Sequence, residues 1–302
     1  MELKGKRVGV LMGGKSSERE ISLRSGMAVL EALRRKGIDA FAVELDGDIV
    51  QKVLQDPMDI AFLALHGRLG EDGTVQGLLE LLGIPYTGSG VLASALAMDK
   101  VKAKQVFLSM GIPTPEFIQW QQGLLPPFDP PWVVKPVSEG STIGVSIVRG
   151  KEELQRAVEK ALACDYEVFI ERFIEGKEIT VAILNMRPLE PIEVIPEGGF
   201  YDYEAKYTPG RTEYLVPAGI ERALRDKAKE IALSAYQALK CSGCARVDMR
   251  LDRDGNFWVL EVNTIPGMTP TSLVPKAAAY EGMSFEDLVL EILRGASLKV
   301  KR

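Results

Sequence analysis

The run Lys6-Arg7-Val8-Gly9-Val10-Leu11-Met12-Gly13-Gly14-Lys15-Ser16-Ser17-Glu18-Arg19-Glu20 sets the fold class. An apolar stretch of strand length stops at two glycines, and a helical pattern starts directly after them. Lys6 to Met12 reads as a buried strand, and an amphipathic helix is expected from about Ser17 to Lys36, ended by Gly37. Ser17 and Glu20 have the spacing of a capping box, and Glu18 lies in the first turn, where the helix dipole favours negative charge. The α/β pattern continues through strands at Ile38 to Leu45 and Asp59 to Leu65, and then enters the loop His66-Gly67-Arg68-Leu69-Gly70-Glu71-Asp72-Gly73. A first α/β domain is expected over residues 1–90.

Beyond it, one helix is expected from about Ala93 to Met110, carrying Lys100, Lys102 and Lys104 and stopped at Gly111-Ile112-Pro113. Gln121 to Pro131 reads as a surface loop, followed by a short strand at Trp132 to Pro136. The polar loop Ser138 to Gly144 leads back to a strand at Val145 to Val148, and a helix runs from about Lys151 to Cys164. Glu167 to Ile174 and Glu178 to Leu184 are strands. A long loop, Pro196 to Pro217, precedes a helix at Glu221 to Leu239.

A hairpin follows. Arg246-Val247-Asp248-Met249-Arg250-Leu251 and Trp258-Val259-Leu260-Glu261-Val262-Asn263 flank Asp254-Gly255, a dipeptide that favours a tight turn. Pairing Arg253 with Asn256 sets Asp248 opposite Glu261 and Arg246 opposite Asn263, so one face is polar and acidic. The other face is expected to hold Val247, Met249 and Leu251 against Trp258, Leu260 and Val262. Facing carboxylates repel unless compensated, and Mg²⁺ takes oxygen ligands of this kind while leaving positions for phosphate, so the face suits a metal-phosphate platform. A solvated sheet face fits the same pattern.

Composition sets limits. The chain has 302 residues, 46% hydrophobic and 26% charged, which is ordinary for a globular protein of two or three domains. A net charge of -5 offers no overall basic field for nucleic acid or an anionic membrane. The first apolar run, Val8 to Met12, is too short for a signal peptide or a membrane span, so a cytoplasmic location is expected. Cys164, Cys241 and Cys244 lack a second pair at zinc spacing and read as packing thiols of a reducing compartment.

Several residues could carry chemistry. Lys135 at a strand end, six positions before Ser141 in a Gly-flanked loop, offers one ammonium and several backbone N–H groups to phosphate. The Lys135 to Ser141 segment itself does not spell the G-x-x-x-x-G-K-[ST] loop. Gly13-Gly14 before a helix suits an anion or simply makes the turn. His66, the only histidine, serves equally as a loop hydrogen-bonder or a reactive group. Glu171-Arg172-Phe173-Ile174-Glu175-Gly176-Lys177-Glu178 suits an adenine edge and ribose hydroxyls, or a plain strand and turn.

Taken together, these segments resemble the D-alanine:D-alanine ligases of the ATP-grasp superfamily over essentially the whole chain. The resemblance rests on Gly13 to Ser22, His66 to Gly73, Lys135 to Ser141, Tyr201-Asp202-Tyr203-Glu204-Ala205-Lys206-Tyr207, and Glu261-Val262-Asn263-Thr264-Ile265-Pro266-Gly267-Met268-Thr269. It implies an α/β, three-domain ATP-grasp fold that is α+β in the ATP-binding part. A Rossmann-like N-terminal domain (1–90) is followed by central (91–176) and C-terminal (177–302) domains whose antiparallel sheets grip ATP. It also implies the reaction: ATP phosphorylates one D-alanine carboxylate, and the amine of a second D-alanine attacks the acyl phosphate, giving a cell-wall precursor.

Carried over by position, the resemblance makes Asp248, Glu261 and Asn263 ligands of two Mg²⁺ or Mn²⁺ ions. Lys100 and Lys135 contact phosphate, Glu171, Phe173 and Ile174 form the adenine site, and Glu178 meets the ribose. Arg246 and the Gly267 N–H stabilise the oxyanion. Glu18 receives the first D-alanine ammonium with His66 nearby, and Lys206, Ser272 and Leu273 line the second site. Glu18, Ser141 and Tyr207 form a triad that closes the loop around 200–212 over the site, excluding water. A homodimer is implied as well. The rivals are a D-alanine:D-lactate ligase, against which Tyr207 speaks, another ATP-grasp carboxylate-amine ligase, and a nucleotide-binding module without turnover.

Overall fold

A computed structural model describes residues 3–198, 208 and 210–300. Strand β1 (Arg7–Gly13) lies between β2 (Asp39–Leu45) and β3 (Ile60–Leu63) in a parallel sheet. Its apolar run is continuous because both faces are covered. Val8, Val10 and Met12 pack with Val29, Leu30 and Leu33 of helix α1 (Arg19–Arg35), while Leu11 packs with Val75 and Leu79 of α3 (Thr74–Leu82). A short α2 (Ile49–Gln55) links β2 to β3.

The start of α1 differs from expectation. Its N-cap is Glu18, without a side-chain cap, and Ser17 takes no part. The Ser16 hydroxyl makes the contacts instead, donating to the His66 carbonyl at 2.6 Å and accepting from the Glu18 N–H at 3.3 Å. This ties the glycine turn to the histidine loop and leaves the Glu18 carboxylate to other partners.

The single helix expected over 93–110 is two helices, α4 (Val91–Met98) and α5 (Lys100–Ser109). Asp99 breaks the run by taking an extended conformation and accepting from the Lys102 N–H at 2.9 Å, so it caps the second helix. The apolar periodicity persists across the break, which hides it from a pattern reading.

A second sheet, ordered β4 (Phe117–Gln119), β7 (Val168–Arg172), β5 (Trp132–Pro136), β6 (Ser146–Val148), is antiparallel. Helix α6 (Lys151–Leu162) covers it with Leu154, Ala157, Val158 and Ala161, the spacing of one helical face. The third sheet contains β8 (Lys177–Leu184), β9 (Arg187–Pro188), β10 (Ile192–Pro196), β11 (Thr212–Leu215), β12 (Cys244–Leu251) and β13 (Phe257–Asn263). Strand β11 lies inside the segment expected to be one loop. Its four residues are half-buried or exposed and show no apolar alternation, so pairing with β10 alone defines it. Helix α7 (Arg222–Ala238) packs Ala228, Ala232 and Tyr236 on the apolar side of this sheet. Finally α8 (Leu273–Tyr280) and α9 (Phe285–Arg294) join the core around Val10 and Leu33, with Arg35 paired to Glu286 at 2.9 Å and Lys36 to Asp287 at 2.6 Å.

The hairpin pairs Arg246 with Asn263, Val247 with Val262 and Asp248 with Glu261, as expected, but the register shifts nearer the turn. Asp252 N–H bonds the Asn256 carbonyl at 3.0 Å around a three-residue loop in which Gly255 has φ +80°, a left-handed conformation natural to glycine. Met249 therefore pairs with Val259 and Leu251 with Phe257, and a bulge at Leu260 restores the register before Glu261. A one-residue slip exchanges faces, so Phe257 and Val259 are buried, while Trp258 and Leu260 lie on the polar side.

Candidate active site

The polar face of the hairpin forms the floor of two adjoining cavities. The larger, about 320 Å³, reaches from Glu18 and His66 to Arg246, Asn263, Gly267 and Ser272. The smaller, about 120 Å³, lies between the second and third sheets, against Lys135, Glu171, Phe173, Ile174, Glu178 and Asp248. Lys100, Gly140, Ser141 and Glu261 line both. Leu273 completes the larger one. Every described residue given a role by the resemblance thus borders one cavity or the other, whereas Gly13 and Gly14 border neither. Lys206 and Tyr207 lie outside the described residues.

The two carboxylates of the floor are each met by a cation. Arg246, two positions along the same strand face, donates from Nε to Asp248 Oδ1 at 2.8 Å and from Nη2 to Oδ2 at 2.7 Å, a bidentate grip. Thr180 Oγ1 of β8 adds a third bond to Asp248 at 2.6 Å. Glu261 Oε2 lies 3.5 Å from Lys100 Nζ, which also donates to the Glu139 carbonyl at 2.7 Å. The Asp99 break is what sets Lys100 at the first position of α5. Asn263 Oδ1 accepts from the Ile265 N–H at 3.0 Å and keeps a second lone pair. Among the described residues no cluster of three or more His, Cys, Asp or Glu side chains could hold a metal. The floor offers two carboxylates and one amide oxygen, an all-oxygen set that suits a hard divalent cation.

Opposite the floor, the loop after β5 approaches the α1 start. Ser141 Oγ donates to Glu18 Oε1 in a short hydrogen bond. Gly140 permits this approach, since a Cβ there would stand 2.7 Å from Glu18 Oε2. Ser141 and Thr142 have φ of +51° and +63°, a left-handed conformation that costs non-glycine residues roughly 1–3 kcal/mol each and is kept where surroundings demand it. Asp165 anchors the other end of the loop, accepting from the Ser138 N–H at 2.7 Å and from Arg68 Nη2 at 2.6 Å.

His66 is 5% exposed, with Nδ1 3.8 Å from Glu71 Oε1. Burial pulls its pKa down, but bonding and charge from Glu71, then the charge of Glu18, outweigh this and raise it above 6.5. Its Nε2 is buried without a hydrogen-bond partner among the described residues. Ser272 Oγ lies 2.8 Å from Thr269 Oγ1, which gathers hydroxyls on the opposite wall.

In the smaller cavity Glu171 is buried between two lysines, Lys104 at 2.8 Å and Lys135 in a shorter contact, and Glu178 pairs with Arg250 at 3.3 Å. Sequence reading had not singled out Arg250. It binds the Ile174 and Gly176 carbonyls at 3.2 and 2.7 Å, and so shapes the segment that carries Phe173 and Ile174. The alternation Arg246, Asp248, Arg250 on one strand face was the available signal. Leu260 also went unassigned to the cavity, because only the bulge turns it there. Cys241 and Cys244 are buried, free thiols, both pushed up to about 12 by burial, and neither borders the two site cavities.

Comparison with known proteins agrees along the whole chain. The family described as D-ala D-ala ligase C-terminus matches residues 109–294, and D-ala D-ala ligase N-terminus matches 49–89. The D-alanine--D-alanine ligase of Syntrophotalea carbinolica is 52% identical, covering 99% of this chain and 98% of the relative. The crystal structure of D-alanine--D-alanine ligase from Bacillus anthracis complexed with ATP superposes with a TM-score of 0.84 at 38% identity, covering 96% of this chain and 97% of that one. The VanG D-Ala:D-Ser ligase from Enterococcus faecalis has a TM-score of 0.83 at 30% identity, covering 96% and 99%. With identity this high over nearly its full length, and with its fold shared by solved ligases, the chain belongs to the D-alanine–D-alanine ligase family.

Proposed function

We propose that the protein joins two D-alanine molecules into D-alanyl-D-alanine with ATP. The observation that supports this best is the wall of Lys100, Gly140, Ser141 and Glu261 common to both cavities. A phosphoryl group entering from the smaller cavity meets an amino-acid carboxylate in the larger one across that wall. In the proposed sequence the carboxylate oxygen of the first D-alanine takes the γ-phosphoryl group and ADP departs. The amine of the second D-alanine then attacks the acyl carbon, losing a proton, and phosphate leaves.

Lys100 and Lys135 offset charge on the transferred group, the principal task in such chemistry. Arg246, which keeps its charge at any working pH, and the Gly267 N–H face the oxyanion. Glu18 and His66 hold the first D-alanine ammonium, and Ser272 and Leu273 border the second molecule. Tyr207, joining the Glu18–Ser141 pair, and Lys206, beside the second site, stand on the sequence resemblance alone. Glu171, Phe173, Ile174 and Glu178 take the base and ribose. Asp248, Glu261 and Asn263 are the residues to hold two Mg²⁺ or Mn²⁺ ions, which when bound neutralise phosphate charge. The present pairing of both carboxylates with Arg246 and Lys100 supports this, since it marks a place that demands positive charge.

The division at residues 90 and 176 belongs to the same proposal, supported by three sheets that fall within 7–63, 117–172 and 177–263. A cytoplasmic homodimer is also part of it. Among the described residues no helix is long and apolar enough to cross a membrane.

The test is phosphate release from ATP and Mg²⁺ with D-alanine, with D-alanine plus D-lactate or D-serine, and with L-alanine, the product being weighed by mass spectrometry. Release with D-alanine alone and a dipeptide product are expected. Release only when D-lactate or D-serine is present would overturn the assignment.

A further inference from the structure

A lysine without exposed surface is rare, because its ammonium leaves water only when paired. Lys104 of α5 is 0% exposed. Its Nζ lies 2.8 Å from Glu171 Oε2 and donates to Thr114 Oγ1 at 2.6 Å, and Thr114 in turn donates to the Val259 carbonyl of the hairpin at 2.8 Å. The Phe117 ring closes the remaining side, 5.4 Å from Nζ. Lys104 borders neither cavity, whereas Glu171 and Lys135 both line the smaller one. A ligand there meets the carboxylate and one lysine, with the second lysine behind them.

That arrangement has a consequence for what Glu171 offers. Glu171 is 1% exposed, and burial by itself favours the neutral acid, which donates a hydrogen bond as well as accepting one. The two lysines overcome burial and hold the carboxyl below its usual range. Lys135 stands on the cavity wall, where an anionic ligand competes for its ammonium. Burial pulls the Lys104 pKa down and the charge of Glu171 offsets part of this, but Lys104 borders neither cavity, so its ammonium stays beside Glu171 when a ligand draws on Lys135. A fixed carboxylate accepts from an exocyclic amine and repels a carbonyl oxygen.

We propose that Lys104 is a positioning residue for base selection: acting through Glu171, it keeps a carboxylate acceptor on the wall of the smaller cavity, so that a nucleotide with an amine edge is taken in preference to one with a carbonyl edge. This rests on the nucleotide reading of that cavity given above.

The experiment measures kcat and KM with ATP and with GTP at saturating D-alanine for the full-length protein, K104M and T114V, with folding followed by circular dichroism. K104M is expected to raise KM for ATP about tenfold, to leave kcat within about threefold, and to narrow the ATP-to-GTP ratio of kcat/KM about tenfold. T114V keeps both charges but removes the hydroxyl that fixes the ammonium, and should narrow the ratio by a smaller factor, about threefold. It carries the test by itself if K104M does not fold. A general loss of fold would lower kcat and leave the base ratio unmoved. Failure of the unaltered protein to use ATP would sink the nucleotide reading. If the protein uses ATP but the folded variants keep its KM and its base ratio, the role of Lys104 is overturned and the reading stands.

Discussion

Ser141 and Glu18, 123 positions apart, are joined side chain to side chain, the serine hydroxyl donating to the carboxylate. The bond links the loop after β5 to the first turn of α1 at the rim of the larger cavity, and two left-handed residues and a close-packed Gly140 are accepted to make it. S141A removes the donor and leaves a carboxylate short of a partner. A hydrogen bond to a charged group is worth about 1.5–3 kcal/mol, so kcat/KM for D-alanine should fall roughly 10- to 150-fold. ATP affinity, measured by calorimetry, should change little. Equal loss in both would show the link to be merely structural.

Asp248 is held by Arg246 and Thr180 at 2.6–2.8 Å, and its replacement tests the metal floor. D248N keeps the shape but drops the charge, and turnover should fall about 100-fold or more, with the Mg²⁺ dependence of phosphate release shifted to higher concentration. Chelation with EDTA should abolish turnover, and added Mg²⁺ or Mn²⁺ should restore it. An unshifted Mg²⁺ midpoint in D248N would count against the ligand assignment.

His66 is the only histidine, so its imidazole proton resonances can be followed without ambiguity. The raised pKa predicts a titration midpoint above 6.5, and E71Q, which removes the largest raising partner, should lower it. The sign for stability follows from linkage: a pKa higher in the folded state stabilises fully below the unfolded value and loses that contribution as pH rises through the folded one. H66N should therefore lose more thermal stability relative to the unaltered protein at pH 5.5 than at pH 8.5, both chosen to bracket roughly the ordinary histidine value.

Asp99 separates α4 from α5 and caps the second through the Lys102 N–H. D99A should cost about 1 kcal/mol in chemical denaturation. Because Lys100 follows directly and reaches Glu261, the same change should also raise KM for ATP. Unchanged KM with lowered stability would confine Asp99 to a structural role.

Much of the fold was legible because its elements carry local signals. The continuous apolar run of the buried β1, the helical spacing on the face of α6 and the alternation along β12 each match what their packing requires. The failures have local causes. Asp99 interrupts no apolar pattern, β11 has none to show, and Ser17 matches the capping spacing while Ser16 makes the contacts. In the hairpin, Asp254-Gly255 suggested a two-residue turn, but the Asp252 carboxylate binds the Asp254 and Asn256 N–H groups and favours three.

The sequence by itself determined the strand-turn-helix start and the family, since these depend on alternation and on residue blocks in order; the expected pairing of Asp248 with Glu261 holds because the bulge at Leu260 offsets the extra residue of the turn. Only the tertiary structure decided how Leu260 turns into the smaller cavity, how Arg250 shapes the Ile174 to Gly176 backbone, and that Lys104 is buried behind Glu171. A bulge, a loop contact and a buried ion pair are set by packing between segments far apart in the chain, and no local periodicity records them.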